Sequence, residues 1–243
     1  HAYGLIGDMH GSALLASDGS IGWCCILRFV FSRILDSTKG GFFKLWPTDV
    51  VRSSRRYLPN TNILETSFTT GTGSGFLLDF MPVHRYSPSP RNPMENTGFQ
   101  GVVRILQCTQ GRLGFEMECR PRFDYGKIVP HSSLSNPNTG IAHGGSDAVS
   151  VYCSSGLSMV NEGFQADGEI SEGGKLYATV SNQMSCSHSP EPLHSTELEK
   201  ELADTAAFWE AWAALCTFRG EHYEAVLRSA LTLKALTYAP SGG

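Results

Sequence analysis

Apolar and polar residues alternate cleanly along Phe115-Glu116-Met117-Glu118-Cys119-Arg120. A period of two puts one set of side chains on a core face and the other in water, which predicts a half-buried strand. Seven other stretches rich in β-branched, aromatic or leucine residues predict further strands: 20–27, 41–46, 62–68, 75–80, 102–107, 148–153 and 175–181, beside 114–120 itself. Gly-rich turn clusters separate them at 17–20, 69–74 and 172–174. Many short strands with such turns predict an antiparallel β-sandwich or barrel. Two segments read as long loops, the Pro-rich 84–98 and the Ser/Asn/Gly-rich 130–145.

The period changes after residue 185. The stretch SCSHSPEPLHS (185–195) reads as a linker. Thr196 with Glu199 three residues on has the form of a capping box opening a helix. Leu198, Leu202, Ala206, Trp209 and Ala213 then form one apolar stripe at helical spacing. Gly220 breaks it. A second helix is predicted over 222–238, with Tyr223, Val226, Leu227, Ala230, Leu231, Leu233 and Leu236 spread around most of its circumference. A helix apolar on most sides needs partners on most sides. The expected organisation is a β domain over 1–185, a linker and linker helix over 186–220, and one orphan helix over 221–243.

Composition narrows the function classes. The 243 residues carry a formal charge of -4 with mixed signs and 41% hydrophobic content. That suits a sizeable core and supplies no basic stripe, so neither a nucleic acid nor a membrane surface is expected as partner. No stretch approaches the roughly 18–20 apolar residues of a membrane span. The first residues, HAYGLIGDMHG, lack both a signal-peptide pattern and an initiator Met, so the true N-terminus is expected to lie upstream. The seven cysteines, at 24, 25, 108, 119, 153, 186 and 216, are odd in number and without CxxC spacing. They are expected to be small buried hydrophobes in a reducing, cytoplasmic setting, with neither a disulfide framework nor a metal site.

Few residues suggest chemistry. Glu116 and Glu118 lie two apart on one strand face, about 6.5–7 Å from one another. That is near the separation of an inverting glycosidase. Alternation already explains them as a wet face, with Arg120 as neighbour, and one strand face supplies no cleft. The eight histidines show no metal-binding spacing. Gly71-Thr72-Gly73-Ser74-Gly75 has phosphate-loop composition but no following Lys or helix, and is expected to be a hairpin turn. Trp23, Phe29, Trp46, Tyr57, Phe123 and Tyr125 divide between core packing and exposed rings of the kind that bind sugars.

Five blocks, in order, carry a resemblance. They are Leu5-Ile6-Gly7-Asp8 with Ser17-Asp18-Gly19-Ser20-Ile21; Arg55-Arg56-Tyr57-Leu58-Pro59-Asn60-Thr61-Asn62 with Leu64-Glu65-Thr66; Asp79-Phe80-Met81-Pro82-Val83; Arg120 to Gly126 (RPRFDYG); and Arg228 to Leu236 (RSALTLKAL). Together they resemble the N-terminal part of glycoside hydrolase family 15 proteins, the glucoamylase and trehalase-like group. The resemblance implies a β-sandwich joined by a helical linker to an (α/α)6 barrel. The barrel would carry two catalytic glutamates, acid and base, for inverting hydrolysis of an α-glucoside. It would begin at the 221–243 helix, where this chain stops, so no catalytic residue, cofactor or metal is expected here. The expected partners are that downstream domain and, for the whole protein, its glucoside. A homo-oligomer is compatible with the apolar helix. The alternative is a free-standing carbohydrate-binding or interaction module.

One stretch departs from the family. Gly22 stands where the family has Asp and Leu27 where it has Pro, and an Asp-Ser-Pro-Ser segment is missing after Phe29. The resemblance makes Trp23, Arg28 and Phe29 of this altered loop, with Arg122 and Asp124, the candidates for a rim facing the substrate or the barrel. For Arg122 and Asp124 the competing reading is an ion pair that holds a turn.

Overall fold

The computed structural model describes residues 3–26, 28–83, 99–183 and 194–242, with the backbone alone at Arg28 and Phe29. The strands, in order, are β1 (Gly4–Gly7), β2 (Ser12–Leu15), β3 (Ser20–Ile26), β4 (Arg28–Phe31), β5 (Phe42–Pro47), β6 (Val50–Tyr57), β7 (Leu64–Thr70) and β8 (Gly73–Phe80). They continue as β9 (Gly101–Arg120), β10 (His131–Asn136), β11 (Thr139–Gly144), β12 (Asp147–Cys153), β13 (Ser158–Val160), β14 (Gly163–Ser171) and β15 (Lys175–Asn182). Two helices follow, α1 (Ser195–Ala213) and α2 (Tyr223–Leu236).

Strand β9 organises the fold. It is 20 residues long, and the two strands expected at 102–107 and 114–120 are its two halves. Its first half pairs antiparallel with β8 and β15, its second with β5 and β14. Two sheets thus share one strand. One runs β1-β2-β3-β5-β9-β14-β13, with β4 on β3, and the other β6-β7-β8-β9-β15-β12-β11-β10. The expected mainly β, sandwich-type fold is therefore the observed one. Phe43, Leu45, Phe115 and Met117 of the first sheet meet Leu64, Leu77, Leu106, Val151 and Val180 of the second in one buried cluster.

The burial pattern of β9 explains why it reads as two strands. Residues 101–106 are buried on both faces, 109–112 are exposed, and from Leu113 the alternation expected at sequence level returns. The first half is doubly buried because α1 covers its outer face: Val103, Ile105, Leu78 and Phe80 pack with Tyr177 and Leu198.

One charge pair lies inside. Arg104 on β9 and Asp79 on β8 are 0% and 2% exposed, with Arg104 Nε donating to Asp79 Oδ1 at 2.7 Å. The guanidinium also donates to the carbonyls of Phe43 (3.1 Å) and Gly19 (2.8 Å), and it lies 5.0 Å from the Phe43 ring centre. It therefore ties β9 to the neighbouring strand of each sheet.

The apolar stripe of α1 behaves as expected, with Leu198, Trp209 and Ala213 buried and Leu202 and Ala206 packed at the edge. The start of α1 differs. Its N-cap is His194, whose N–H donates to Glu197 Oε2 at 3.0 Å, so the Thr196–Glu199 box does not form. Glu199 is used elsewhere, accepting from Lys175 Nζ (2.6 Å) and Tyr177 OH (2.7 Å) on β15. Burial alone would raise the Glu199 carboxyl; these two donors and the Lys175 charge outweigh it and hold the carboxyl below its ordinary range. A carboxyl lowered in the fold contributes stability above its unfolded pKa and loses it as pH falls through the folded one. Protection factors of the α1 amides, corrected for intrinsic exchange, should therefore fall between about pH 5 and pH 3, around the ordinary carboxylate range, and Glu199→Gln should flatten that dependence.

The expected loop at 130–145 is instead the β10–β11 hairpin, turning at Asn136–Thr139. Its Ser/Asn/Gly content is that of a polar edge strand. The loop expected at 84–98 and most of the linker at 185–195 fall outside the described residues. No helix among the described residues is long and apolar enough to cross a membrane. Of the cysteines, Cys24, Cys108, Cys119 and Cys153 are buried, Cys25 and Cys216 are half-buried, and all six are free thiols. Cys186 lies outside the described residues.

Candidate functional site

Strand β3 sends Cys24 and Ile26 into the core and leaves Trp23 and Cys25 half-buried on its outer face. A bulge at Gly22 sets that register, since Leu14 pairs with Trp23 and Leu15 with Ile21. The altered stretch forms an antiparallel hairpin of β3 and β4, with Cys24 paired to Phe31 and Ile26 to Arg28.

The turn after β9 lies beside this hairpin. Phe123 anchors it in the core, and the Phe123 and Ile128 backbones bond each other reciprocally. Asp124, Tyr125 and Gly126 then have φ of +47°, +58° and +88°. Two successive non-glycine residues in the left-handed region are strained. At Gly126 a side chain could not replace hydrogen, because a Cβ would stand 2.7 Å from the Lys39 carbonyl oxygen. The strained turn holds Tyr125 outward, 43% exposed, with its ring centre 6.5 Å from that of Trp23.

Arg122 joins this edge by its backbone, its N–H donating to Val30 O at 3.0 Å. Its guanidinium donates to Pro121 O (2.8 Å) and Glu162 Oε2 (3.0 Å). Asp124 pairs with Lys127 Nζ at 3.1 Å. Arg122 and Asp124 thus hold the turn through separate partners. Of the candidates, Trp23, Arg122, Asp124 and the β4 backbone come together at one edge of the first sheet; the side chains of Arg28 and Phe29 lie outside the described residues.

Next to it is a cavity that sequence reading missed, of about 370 Å³ and lined by Tyr3, Ser17, Asp18, Gly22, Arg33 and Ser37 among others. This falls within the range of small-ligand pockets, about 300–1,000 Å³. Asp18 Oδ1 accepts from Ser20 N–H (3.0 Å) and Ser20 Oγ (2.5 Å). Burial would raise the Asp18 carboxyl, but those bonds with the Lys44 and Arg33 charges keep it below its usual range. Arg33 lies over the Phe42 ring at 4.5 Å. A carboxylate, a guanidinium and hydroxyls can exchange hydrogen bonds with a polyhydroxylated ligand. The pieces come from four separate stretches, and the Ser17–Ser20 part reads locally as a turn.

The other candidates resolve as structure. Glu118 accepts from Arg120 Nε at 2.6 Å on the outer face of β9, and Glu116 stands opposite Trp46 and Asp167. Gly71–Gly75 belongs to the β7–β8 hairpin. Among the described residues no group of three or more His, Cys, Asp or Glu side chains could hold a metal.

Four of the five sequence blocks converge where α2 meets the sandwich. Tyr57 OH donates to Leu5 O and accepts from Leu5 N–H, both at 2.9 Å. Asn62 Oδ1 accepts from Gly7 N–H at 2.8 Å. Arg228 of α2 donates to Thr61 O at 2.7 Å and lies 3.8 Å over the Tyr57 ring. Leu227, Leu231 and Ala235 of α2 bury against Met9, Val83 and Trp209. Val226, Leu233 and Leu236 remain exposed, Leu233 by 69%.

No protein-family model matches the chain. Over 99% of its length it is 32% identical to a trehalase of Mycolicibacterium smegmatis and 30% identical to a trehalase of Mycobacterium tuberculosis. A trehalase of Thermoplasma volcanium is 29% identical over the same share. In each case the chain spans 38% of the relative's own length.

Proposed function

We propose that this chain is the non-catalytic β-sandwich domain of a trehalase-like glycosidase of the glycoside hydrolase family 15 type. Similarity to trehalases over 99% of the chain but 38% of their length carries the reading. In this organisation residues 1–185 form the sandwich, 186–220 the linker with its helix, and 221–243 the first helix of an (α/α)6 catalytic domain. The outward apolar side of α2, with Val226, Leu233 and Leu236, is the surface that such a domain would cover. Trp23, Arg28, Phe29, Arg122 and Asp124 are proposed as the rim facing that domain or its substrate.

The whole protein would hydrolyse an α-glucosidic bond of trehalose or a gluco-oligosaccharide with inversion. That chemistry needs a protonated carboxyl on one side of the bond and a carboxylate holding water on the other, about 6.5–9.5 Å apart. Glu116 and Glu118 do not supply it. They project side by side from one open strand face, and Arg120 neutralises Glu118. The cavity of Asp18 and Arg33 favours a second reading, a free-standing carbohydrate-binding module. Glucose release from trehalose and from a maltooligosaccharide separates the first reading from an enzyme complete in this chain, and trehalose binding by the chain alone supports the second.

A further inference from the structure

We propose that His131 and His143 form a binding site for one borderline divalent cation of the Zn²⁺, Ni²⁺ and Cu²⁺ class. The two residues are direct cross-strand partners in the β10–β11 hairpin. Both are exposed, and their ring centres are 5.3 Å apart with the planes at 62°. Directly opposed residues of antiparallel strands have their Cβ atoms about 4.5–5.5 Å apart, so both imidazoles stand over the same patch of sheet.

The spacing matches what a shared cation requires. A metal–imidazole bond of about 2.0–2.1 Å and a tetrahedral angle put the two ring centres about 5 Å apart. Neutral imidazole is a preferred ligand of these cations, whereas Mg²⁺ and Ca²⁺ prefer oxygen. No described group of three or more ligating side chains exists, so water completes the coordination shell.

The position gives such a cation a mechanical effect. His131 and His143 sit at the open end of the hairpin, away from its turn at Asn136–Thr139, and β10 is the outermost strand of the second sheet. An edge strand frays most readily at its open end. A cation bridging the two rings closes the chain between them into a loop and pins the edge, as a crosslink does.

The test uses the full chain prepared without a histidine tag and Ni²⁺ as the probe, in calorimetric titrations and in NMR spectra. The expected result is one Ni²⁺ per chain, with paramagnetic broadening centred on the amides of β10 and β11. Either His131→Gln or His143→Gln should lower affinity about a hundredfold, because each removes the intramolecular second donor. The double variant should lose little more than either single one. Unfolding midpoints without metal should be unchanged in all three variants, which keeps loss of binding distinct from loss of fold. Wild-type affinity in both single variants, or broadening centred on another histidine such as His222, would overturn the assignment.

Discussion

Arg104→Met is expected to destabilise the fold by about 3–5 kcal/mol, the range for removing one partner of a buried ion pair. The substitution keeps much of the side-chain volume but leaves Asp79, 2% exposed, as an uncompensated carboxyl inside the protein. It also strips donors from the carbonyls of Phe43 and Gly19. Those two carbonyls belong to β5 and to the turn before β3 in the first sheet, and Asp79 to β8 in the second, so the loss is felt in both sheets. Burial already pushes the Asp79 carboxyl upward, with the Arg104 charge opposing it. In the variant only the Arg55 charge still opposes that push, and Asp79 becomes protonated at higher pH than in the wild type. Replacing both partners, Arg104→Met with Asp79→Leu, should recover most of the loss, because the penalty comes from the unpaired charge. Urea unfolding at neutral pH measures it. A single variant within about 0.5 kcal/mol of wild type, as is usual for a surface change, would mean that the pair does not hold the sheets together.

Trp209→Ala is expected to cost about 3–5 kcal/mol, the usual range for truncating a fully buried Trp or Phe. Its effect should be local to the helices. Trp209 is 0% exposed and belongs to the cluster of Met9, Val83, Ala213, Leu227, Leu231 and Ala235. That cluster is separate from the one between the sheets, so it can open without emptying the main core. Among the described residues the buried indole N–H has no hydrogen-bond partner, so the contacts described for the ring are packing contacts. Hydrogen exchange should accelerate along α1 and α2 while β9 stays protected, and Trp209→Phe should lie between alanine and wild type. Equal acceleration in β9 would show instead that helices and sandwich open as one unit.

Much of this fold was legible in the sequence because burial on one face writes a period. The alternation at 115–120 marked the half of β9 with a wet face, and the stripe from Leu198 to Ala213 marked α1. The first half of β9 gives no period, since α1 covers its outer side, and nothing local says that it continues into the second half. The β10–β11 hairpin was hidden for the opposite reason. It is polar on an edge, so its residues resemble those of a loop. The start of α1 lies two residues before the expected one because two Glu residues could each complete a box, and Glu199 is claimed by Lys175 and Tyr177, 24 and 22 residues away.

The candidate site was legible only in part. Resemblance singled out Trp23, Arg122 and Asp124, and the fold brings them to one edge through β4 and the turn after β9. Their ionic partners, Glu162 and Lys127, carry no local signal that would rank them above other surface charges. The cavity around Asp18 and Arg33 is assembled by strand order, which residue spacing does not encode.

The supporting-domain account is tested most directly by glucose release from trehalose in two proteins. One is this 243-residue chain alone. The other is a chimera in which the chain replaces the matching segment of the Mycolicibacterium smegmatis relative. The account predicts glucose from the chimera and none from the chain alone. Glucose released by the chain alone would contradict it, and Glu116 and Glu118 would then be the first residues to replace.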